Sequence, residues 1–361
     1  MTNVIHNFNA GPSILPAEVF EEASRAIMNF NNTGLSILEL GHRTKTFQAV
    51  MEEANALARE LMQLDEDHEV LFLHGGASTQ FLQIPMNMLG ENDLAAYTDT
   101  GVWAAKAIRE AKLFGHVEVV CSSRNDNYRH LPKQFNVPKT AAYLHITTNN
   151  TIYGTQWQDL SLFYQAGVPL VADMSSDILS RKIDFNKFDV IYAGAQKNAG
   201  AAGVTIVVIN KNLLGKVQRN IPTMLDYRNH IANGSMLNTP PVFAVYICML
   251  TLRWLKSIGG VEEVEKINNR KAALLYHTID SLEIFKGTVA KEDRSKMNVC
   301  FVAKDEELEK EFAELCQKEG MVGVKGHRTV GGFRISLYNA LSYESVEAIT
   351  DLMKDFAQRK S

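Results

Sequence analysis

Seven short apolar runs constrain this chain more than any other feature. Each is closed by polar or glycine-rich residues, and helix-length segments separate them. They lie at residues 70–73, 94–97, 117–121, 142–147, 169–172, 190–193 and 204–209. Strands apolar on both faces suit a mostly parallel sheet with helices over both sides. The pattern therefore predicts an α/β architecture. Ahead of these runs, Pro16 fits a first helical turn, and Val19, Ala23, Ile27 and Phe30 follow at helical spacing. A second helix is predicted over 46–62.

The texture changes after about residue 255, where Gly259-Gly260 punctuates the chain. A helix carrying Val264, Ile267, Ala272, Leu275 and Ile279 comes next. It is followed by a strand over 298–302 and a helix over 306–318 with Leu308, Phe312 and Leu315 on one face. A strand pair, 322–324 with 332–337, and a final helix over 343–358 complete the reading. The expected organisation is a large domain, with a mostly parallel seven-stranded sheet covered by helices, plus a smaller C-terminal α+β domain. The divisions fall at 1–15 (an N-terminal segment packing near the active site), 16–258 and 259–361.

Composition removes several functional classes. With 37 basic and 41 acidic side chains the net charge is −4, so no global basic field draws nucleic acid. Charged residues are 22 % and apolar residues 46 %, which does not fit a disordered chain. The four cysteines form no CxxC pair, and Cys121, Cys248 and Cys300 sit in apolar runs as expected of small buried hydrophobes. Ten histidines show no HExxH, so no metal site is expected. The start of the chain lacks a basic segment followed by an apolar core, which argues against a secretory signal. The longest apolar stretch, 241–252, is short of the ~20 residues a membrane helix needs. A cytoplasmic setting, without membrane or nucleic-acid partners, is expected.

Four features carry chemistry. Lys197 follows the run 190–193 and lies between Gly-Ala-Gln and Asn-Ala-Gly-Ala-Ala-Gly. A lysine at a strand end is ordinarily a solvated surface residue. Small flanking residues let a ligand approach closely, and a confined lysine can act as an amine nucleophile toward a carbonyl. Asp173 closes the run 169–172. That places a carboxylate at the C-terminal edge of the sheet, where open α/β folds bind ligands; a turn or N-cap acid is the plain alternative. His74-Gly75-Gly76-Ala77-Ser78-Thr79-Gln80 follows the first run and offers free amides and hydroxyls to a phosphate. Finally, Gly41-His42-Arg43-Thr44 recurs as Gly326-His327-Arg328-Thr329, with Arg334 six residues beyond Arg328. Converging guanidinium groups suit a ligand with more than one anionic group, although each alone reads as a surface arginine. A Schiff-base lysine, an acid at the sheet edge, a phosphate cradle and an anion-reading set together describe a pyridoxal-phosphate site.

Nearly the whole chain resembles the phosphoserine aminotransferase family of fold-type I pyridoxal-phosphate enzymes. The segments that carry the resemblance are Phe8-Asn-Ala-Gly-Pro-Ser, Gly41-His42-Arg43, His74-Gly-Gly-Ala-Ser-Thr-Gln80, Asp99-Thr-Gly-Val-Trp103, Asn150-Thr151-Ile-Tyr-Gly154, Ala172-Asp173-Met-Ser-Ser-Asp-Ile-Leu-Ser180, Tyr192-Ala-Gly-Ala-Gln-Lys197-Asn, Asn233-Gly-Ser-Met-Leu-Asn238-Thr239-Pro-Pro241 and Lys325-Gly-His327-Arg328-Thr-Val-Gly-Gly-Phe-Arg334. The resemblance implies transamination of 3-phosphohydroxypyruvate with L-glutamate, in serine biosynthesis, and in some members action on a phosphorylated hydroxythreonine in pyridoxine synthesis. It implies that Lys197 holds pyridoxal phosphate as a Schiff base and moves a proton, and that Asp173 pairs with the ring nitrogen. By the same resemblance Trp103 would stack on the ring, and Thr151 would bond its 3-hydroxyl. Ala77, Ser78 and Gln196 would hold the cofactor phosphate, with Asn238 and Thr239 reaching it from the neighbouring subunit of an implied homodimer. Arg334 would meet the substrate carboxylate. His42 and Arg43, with His327 and Arg328 of the other chain, would meet its phosphate. Two positions depart from the pattern: Ser78 stands where some members have an arginine, and Ala10 where some have a serine.

Other readings compete. A serine–glyoxylate aminotransferase or a cysteine desulfurase shares the fold, but a desulfurase needs a mobile reactive cysteine. A dehydrogenase wants a GxGxxG after the first strand, and none is present. A phosphate-binding protein without catalysis accounts for the arginines but leaves Lys197 unexplained.

Overall fold

The computed structural model describes residues 4–360. Residues 1–3 of the expected N-terminal segment, and residue 361, lie outside the described residues. The chain runs β1 (His6–Asn7), α1 (Ala17–Asn29), α2 (Lys45–Met62), β2 (His68–Leu73), α3 (Gly76–Met88), β3 (Leu94–Asp99), α4 (Val102–Ala111), β4 (His116–Ser122) and β5 (Ala141–Thr147). It continues with β6 (Asn149–Asn150), β7 (Thr155–Gln156), α5 (Ser161–Tyr164), β8 (Leu170–Asp173), β9 (Val190–Gly194), β10 (Thr205–Asn210), α6 (Tyr227–Ala232) and α7 (Val242–Ser257). The last third holds α8 (Gly260–Ser281), β11 (Phe285–Gly287), β12 (Asn298–Ala303), α9 (Glu306–Lys318), β13 (Met321–Val322), β14 (Phe333–Ser336) and α10 (Tyr343–Lys360).

All seven apolar runs become strands of one seven-stranded sheet, ordered β2-β10-β9-β8-β5-β3-β4. Only β10 opposes the others, pairing antiparallel with β2 and β9. The central strands are buried on both faces: Val171, Ala172, Ile191, Tyr192, Ile206 and Val207 are fully covered. One face packs against α1, α2 and α7 through Phe47, Ala54, Val245 and Cys248, and the other against α3 and α4 through Phe81, Ile84 and Ile108. The larger of these, such as Phe47, Val245, Phe81 and Ile84, each contribute roughly 1.5–3 kcal/mol relative to exposure. A separate apolar cluster, including Leu275, Phe301, Phe312, Ile335 and Phe356, unites α8, α9, α10 and the three-stranded sheet β11-β12-β14.

Several local expectations need correction. β4 is an edge strand with Val119 41 % exposed, so its apolar run covers a rim rather than a core. Cys121 on it is only half-buried, while Cys248 and Cys300 are buried as expected. Ile27 faces outward, because the buried stripe of α1 follows Val19, Ala23 and Ala26. The expected strand pair 322–324 with 332–337 does not form. Instead β13 pairs parallel with β1, and β14 pairs antiparallel with β12. The intervening residues close on themselves, since Gly326 N–H donates to the Gly332 carbonyl and Val330 N–H to the His327 carbonyl. Only a single bridge, Lys325 to Phe333, remains of the hairpin.

Candidate active site

The parallel strands point their C-terminal ends toward one edge of the sheet, and the chemical motifs follow those ends one by one. Residues 74–80 leave β2, Trp103 lies just beyond β3, Thr151 just beyond β5, Asp173 closes β8, and Lys197 follows β9. A doubly covered parallel sheet collects its ligand groups in this way, because every strand-to-helix turn opens on the same rim.

Asp173 is buried, 5 % exposed, and its register partner across the β8–β9 pair is Tyr192. Its Oδ1 accepts the Ser175 N–H at 2.9 Å. The turn-acid reading is therefore met by this carboxylate, which accepts from the backbone two residues on. Burial pushes its pKa up, and Lys197 with the Ser175 donors holds it back. Lys197 Nζ donates to Thr151 Oγ1 at 2.8 Å and stands 5.6 Å from the centre of the Trp103 ring. Burial lowers the Lys197 pKa to about 8; Asp173 opposes that shift and Arg334 adds to it. An amine in this range is available as base and nucleophile near neutral pH. The backbone of Lys197 is held from the N-terminal segment: Ser13 Oγ donates to the Lys197 carbonyl and Ser13 N–H to that of Gln196.

The phosphate-cradle segment opens α3. Gly75 caps the helix with φ +95°, and a Cβ there would stand 2.0 Å from Thr79 Oγ1, so only glycine fits. Ala77 and Ser78 lie in the first turn, with their amides at the positive end of a 13-residue helix. Asn238 and Thr239 lie in the loop before α7. Within this chain, His74 Nε2 donates to the Thr239 carbonyl at 2.9 Å. Asn238 lines a cavity of about 200 Å³ with His74, Gly75 and Thr79.

Arg334 Nη1 donates to the Thr151 carbonyl at 3.2 Å, which brings the guanidinium beside Lys197. His327, Arg328 and Lys106 lie near it. The His327 pKa is lowered first by burial and then by Arg334, Arg328 and Lys106, with no acid opposing. His42 and Arg43 stand apart: among the described residues no hydrogen bond or ion pair joins either to Lys197 or Arg334. Arg43 is exposed, and His42 Nε2 is buried without a partner.

Sequence reasoning missed three contributors. Lys106 places its Nζ 4.4 Å over the Trp103 ring, and its three-residue spacing from Trp103 on α4 was the only signal. Tyr192 is fully buried against Asp173, and its hydroxyl meets His145 Nε2 at 2.9 Å. Both read as ordinary strand residues until the sheet register is known. Among the described residues no cluster of three or more metal-ligating side chains exists. No single helix there is long and apolar enough to cross a membrane.

The residues present fit pyridoxal phosphate. A buried carboxylate, an aromatic face, a lysine of lowered pKa and the amides of a helix N-terminus converge on one rim. Trp103 Nε1, Asn150 Oδ1 and Arg334 Nε are buried there without partners among the described residues, leaving polar atoms for a ligand to satisfy.

Comparison with known proteins agrees. The family model described as aminotransferase class-V matches residues 5–349. The phosphoserine aminotransferase of Flavobacterium johnsoniae is 55 % identical over 350 residues, covering 97 % of this chain and 98 % of that one. Among solved structures, the phosphoserine aminotransferase from Bacillus circulans subsp. alkalophilus superposes with a TM-score of 0.96 at 45 % identity, covering 100 % of each chain. The pyridoxal-phosphate-bound phosphoserine aminotransferase of Trichomonas vaginalis gives 0.91 at 36 % identity, covering 97 % of this chain and 100 % of that one.

Proposed function

The chain belongs to the class-V aminotransferase family, and from that premise we propose how its residues divide the work of a pyridoxal-phosphate-dependent aminotransferase. The reaction is reversible transfer of the amino group of L-glutamate to 3-phosphohydroxypyruvate, giving O-phospho-L-serine and 2-oxoglutarate. The observation that carries it is the convergence of Lys197, Thr151, Trp103 and Arg334 beside the buried Asp173.

Bound pyridoxal phosphate supplies the electron sink that allows a proton to leave the substrate α-carbon. Lys197 would hold the cofactor through its Nζ, and its free amine would take that proton from the α-carbon and return it. Its lowered pKa keeps a useful fraction unprotonated near neutrality. Asp173, held by Ser175, would pair with the ring nitrogen and keep it protonated. Trp103 would stack on the ring, and Thr151 Oγ1, which now accepts from Lys197, would serve the ring hydroxyl. The amides of Ala77 and Ser78, with Gln196, would hold the cofactor phosphate. Arg334 takes the substrate carboxylate. His42, Arg43, His327 and Arg328 take the second anionic group, whether carboxylate or phosphate.

We assign a homodimer in which Asn238, Thr239, His327 and Arg328 serve the neighbouring subunit's site. The exposure of Thr239 and Arg328 supports this reading. We place the enzyme in the cytoplasm, with no membrane or nucleic-acid partner. We also divide the chain at 15/16 and 258/259, the second division between the two glycines Gly259 and Gly260, of φ +103° and +75°, and α7. The same cationic set admits a phosphorylated hydroxythreonine, and an assay with that substrate decides the secondary activity.

The test is an incubation with L-glutamate and 3-phosphohydroxypyruvate. O-phospho-L-serine and 2-oxoglutarate should appear in equal amounts. Transfer to glyoxylate or pyruvate, with none to the phosphorylated acid, would assign a different acceptor.

A further inference from the structure

Lys271 is a buried cation with no role in the chemistry above. It lies on α8 with no exposed surface. Its Nζ donates to three main-chain carbonyls, those of Leu337 at 2.9 Å, Tyr338 at 2.8 Å and Leu341 at 3.0 Å. No carboxylate pairs with it among the described residues. An ammonium group has three donors, and here each finds one carbonyl, so the cage is saturated. Burial pushes its pKa down, while the three carbonyl dipoles favour the charged form. Replacing one partner would leave buried polar groups without bonds, so the arrangement is all or nothing.

The caged turn, residues 337–341, does not end on itself. Asn339 N–H donates to Asn198 Oδ1 at 2.8 Å, and Asn198 directly follows Lys197. Asn339 Nδ2 donates to the Leu179 carbonyl at 2.9 Å. Leu179 is buried and holds a left-handed φ of +56°, a strained conformation for a leucine that persists only where neighbours impose it. Asn268, one turn before Lys271, donates to Asn339 Oδ1 at 2.8 Å and to the Ser180 carbonyl at 3.0 Å. Asn198 Nδ2 closes the circuit on the Ile178 carbonyl at 2.6 Å. The turn also continues β14, the strand that bears Arg334.

We propose that Lys271 and Asn339 are positioning residues: they lock the 337–341 turn onto Asn198 and so set where Lys197 stands relative to Arg334. This rests on the reading of Lys197 as the catalytic amine. Lys271 never meets the substrate. It acts through a turn whose other end is bonded to the residue beside the nucleophile. Loss of the cage lets the Lys197 backbone drift, and a misplacement of about 1 Å costs on the order of 100-fold in rate.

Two holoenzyme variants test this, K271M and N198A. K271M empties the cage. N198A leaves the cage intact and cuts its link to Lys197, together with the Asn198 bond to the Ile178 carbonyl, so it carries the test if K271M folds poorly. Three readouts are taken for each: the single-turnover rate of the glutamate half-reaction, the KM for glutamate, and the pH at which the visible absorbance of the bound cofactor titrates. Both variants should lose about 10- to 100-fold in single-turnover rate with KM little changed, and both should shift the titration in the same direction. Variants that melt at lower temperature but keep the wild-type rate and titration would overturn the proposal and leave Lys271 a folding residue. A wild-type protein that takes up no pyridoxal phosphate would instead overturn the functional reading on which the proposal stands, so the two failures are told apart by the wild-type control.

Discussion

Around Lys197 the chain supplies a hydroxyl, a carboxylate and an aromatic face; around Arg43 and Arg328 it supplies guanidinium groups at the surface. The first region is assembled by a sheet whose strands are buried on both faces. The second is carried by loops, one before α2 and one between β13 and β14. The difference fits the roles proposed for each part. Proton transfer at a single carbon needs atoms fixed to within a fraction of an ångström, and a doubly covered parallel sheet provides that. Recognition of two unlike acids, a dicarboxylate and a phosphorylated keto acid, is suited by positive charge on loops, where binding residues commonly sit.

Replacing Lys197 attacks the rigid half directly and should have the largest effect. K197A should lose at least about 10²–10⁴-fold in turnover, the range for removing a proton-transfer group. Its circular dichroism should match the wild type. Retained turnover would remove Lys197 from the mechanism.

The partner carboxylate comes next. D173N should lower turnover by roughly 10²–10³-fold, as when one preorganised electrostatic partner is removed. It should also move Lys197. The Asp173 carboxylate raises the Lys197 pKa, so its neutralisation should bring that pKa below about 8, read from the pH dependence of amine modification. R334M should move it the other way, because the guanidinium lowers the Lys197 pKa. If both variants shifted Lys197 in the same direction, the charge arrangement described here would be wrong.

The adjustable half should respond differently. R43A and R328A should raise the KM for 3-phosphohydroxypyruvate by about 10- to 100-fold, the loss expected for a charge-assisted hydrogen bond. The glutamate half-reaction, whose second carboxylate carries less charge than a phosphate, should lose less. A lowered melting temperature with both KM values unchanged would mean the loops serve the fold rather than the substrates' second anionic group.

The smallest effect lies at Thr151. T151V keeps the shape and removes one neutral hydrogen bond to Lys197, worth about 0.5–1.5 kcal/mol. Steady-state assays should show a loss of about 2- to 10-fold, and a loss as large as that of K197A would assign Thr151 a different role.

The two halves were also unequally legible in the sequence. Every strand of the large sheet was visible: six because burial on both faces writes itself as an unbroken apolar run, and β4, a half-exposed edge strand, by its valines alone. Asp173 and Lys197 stood out because each follows such a run, and the strand-to-helix rhythm sends both to one rim; Thr151 entered only through the family resemblance. The larger failures share one cause, contact between residues far apart in the chain. β13 pairs with β1, more than 300 residues away, which no local pattern records. Lys271 sits in Asn-Asn-Arg-Lys-Ala-Ala-Leu, a segment that reads as a helix surface until the turn at 337–341 arrives over it. Tyr192 and His145 meet across strands whose register only the folded sheet defines. His42 and Arg43 were picked out by a repeated tetrapeptide and a family resemblance, and one chain does not bring them to Lys197.

The most direct test of the central claim is the absorbance spectrum of the purified protein, recorded before and after L-glutamate is added. The account predicts a yellow protein whose visible band falls as the amino group is taken up, and recovers when 3-phosphohydroxypyruvate follows. A protein that stays colourless after incubation with pyridoxal phosphate would contradict it, and Lys197 would then be an ordinary lysine at the end of a strand.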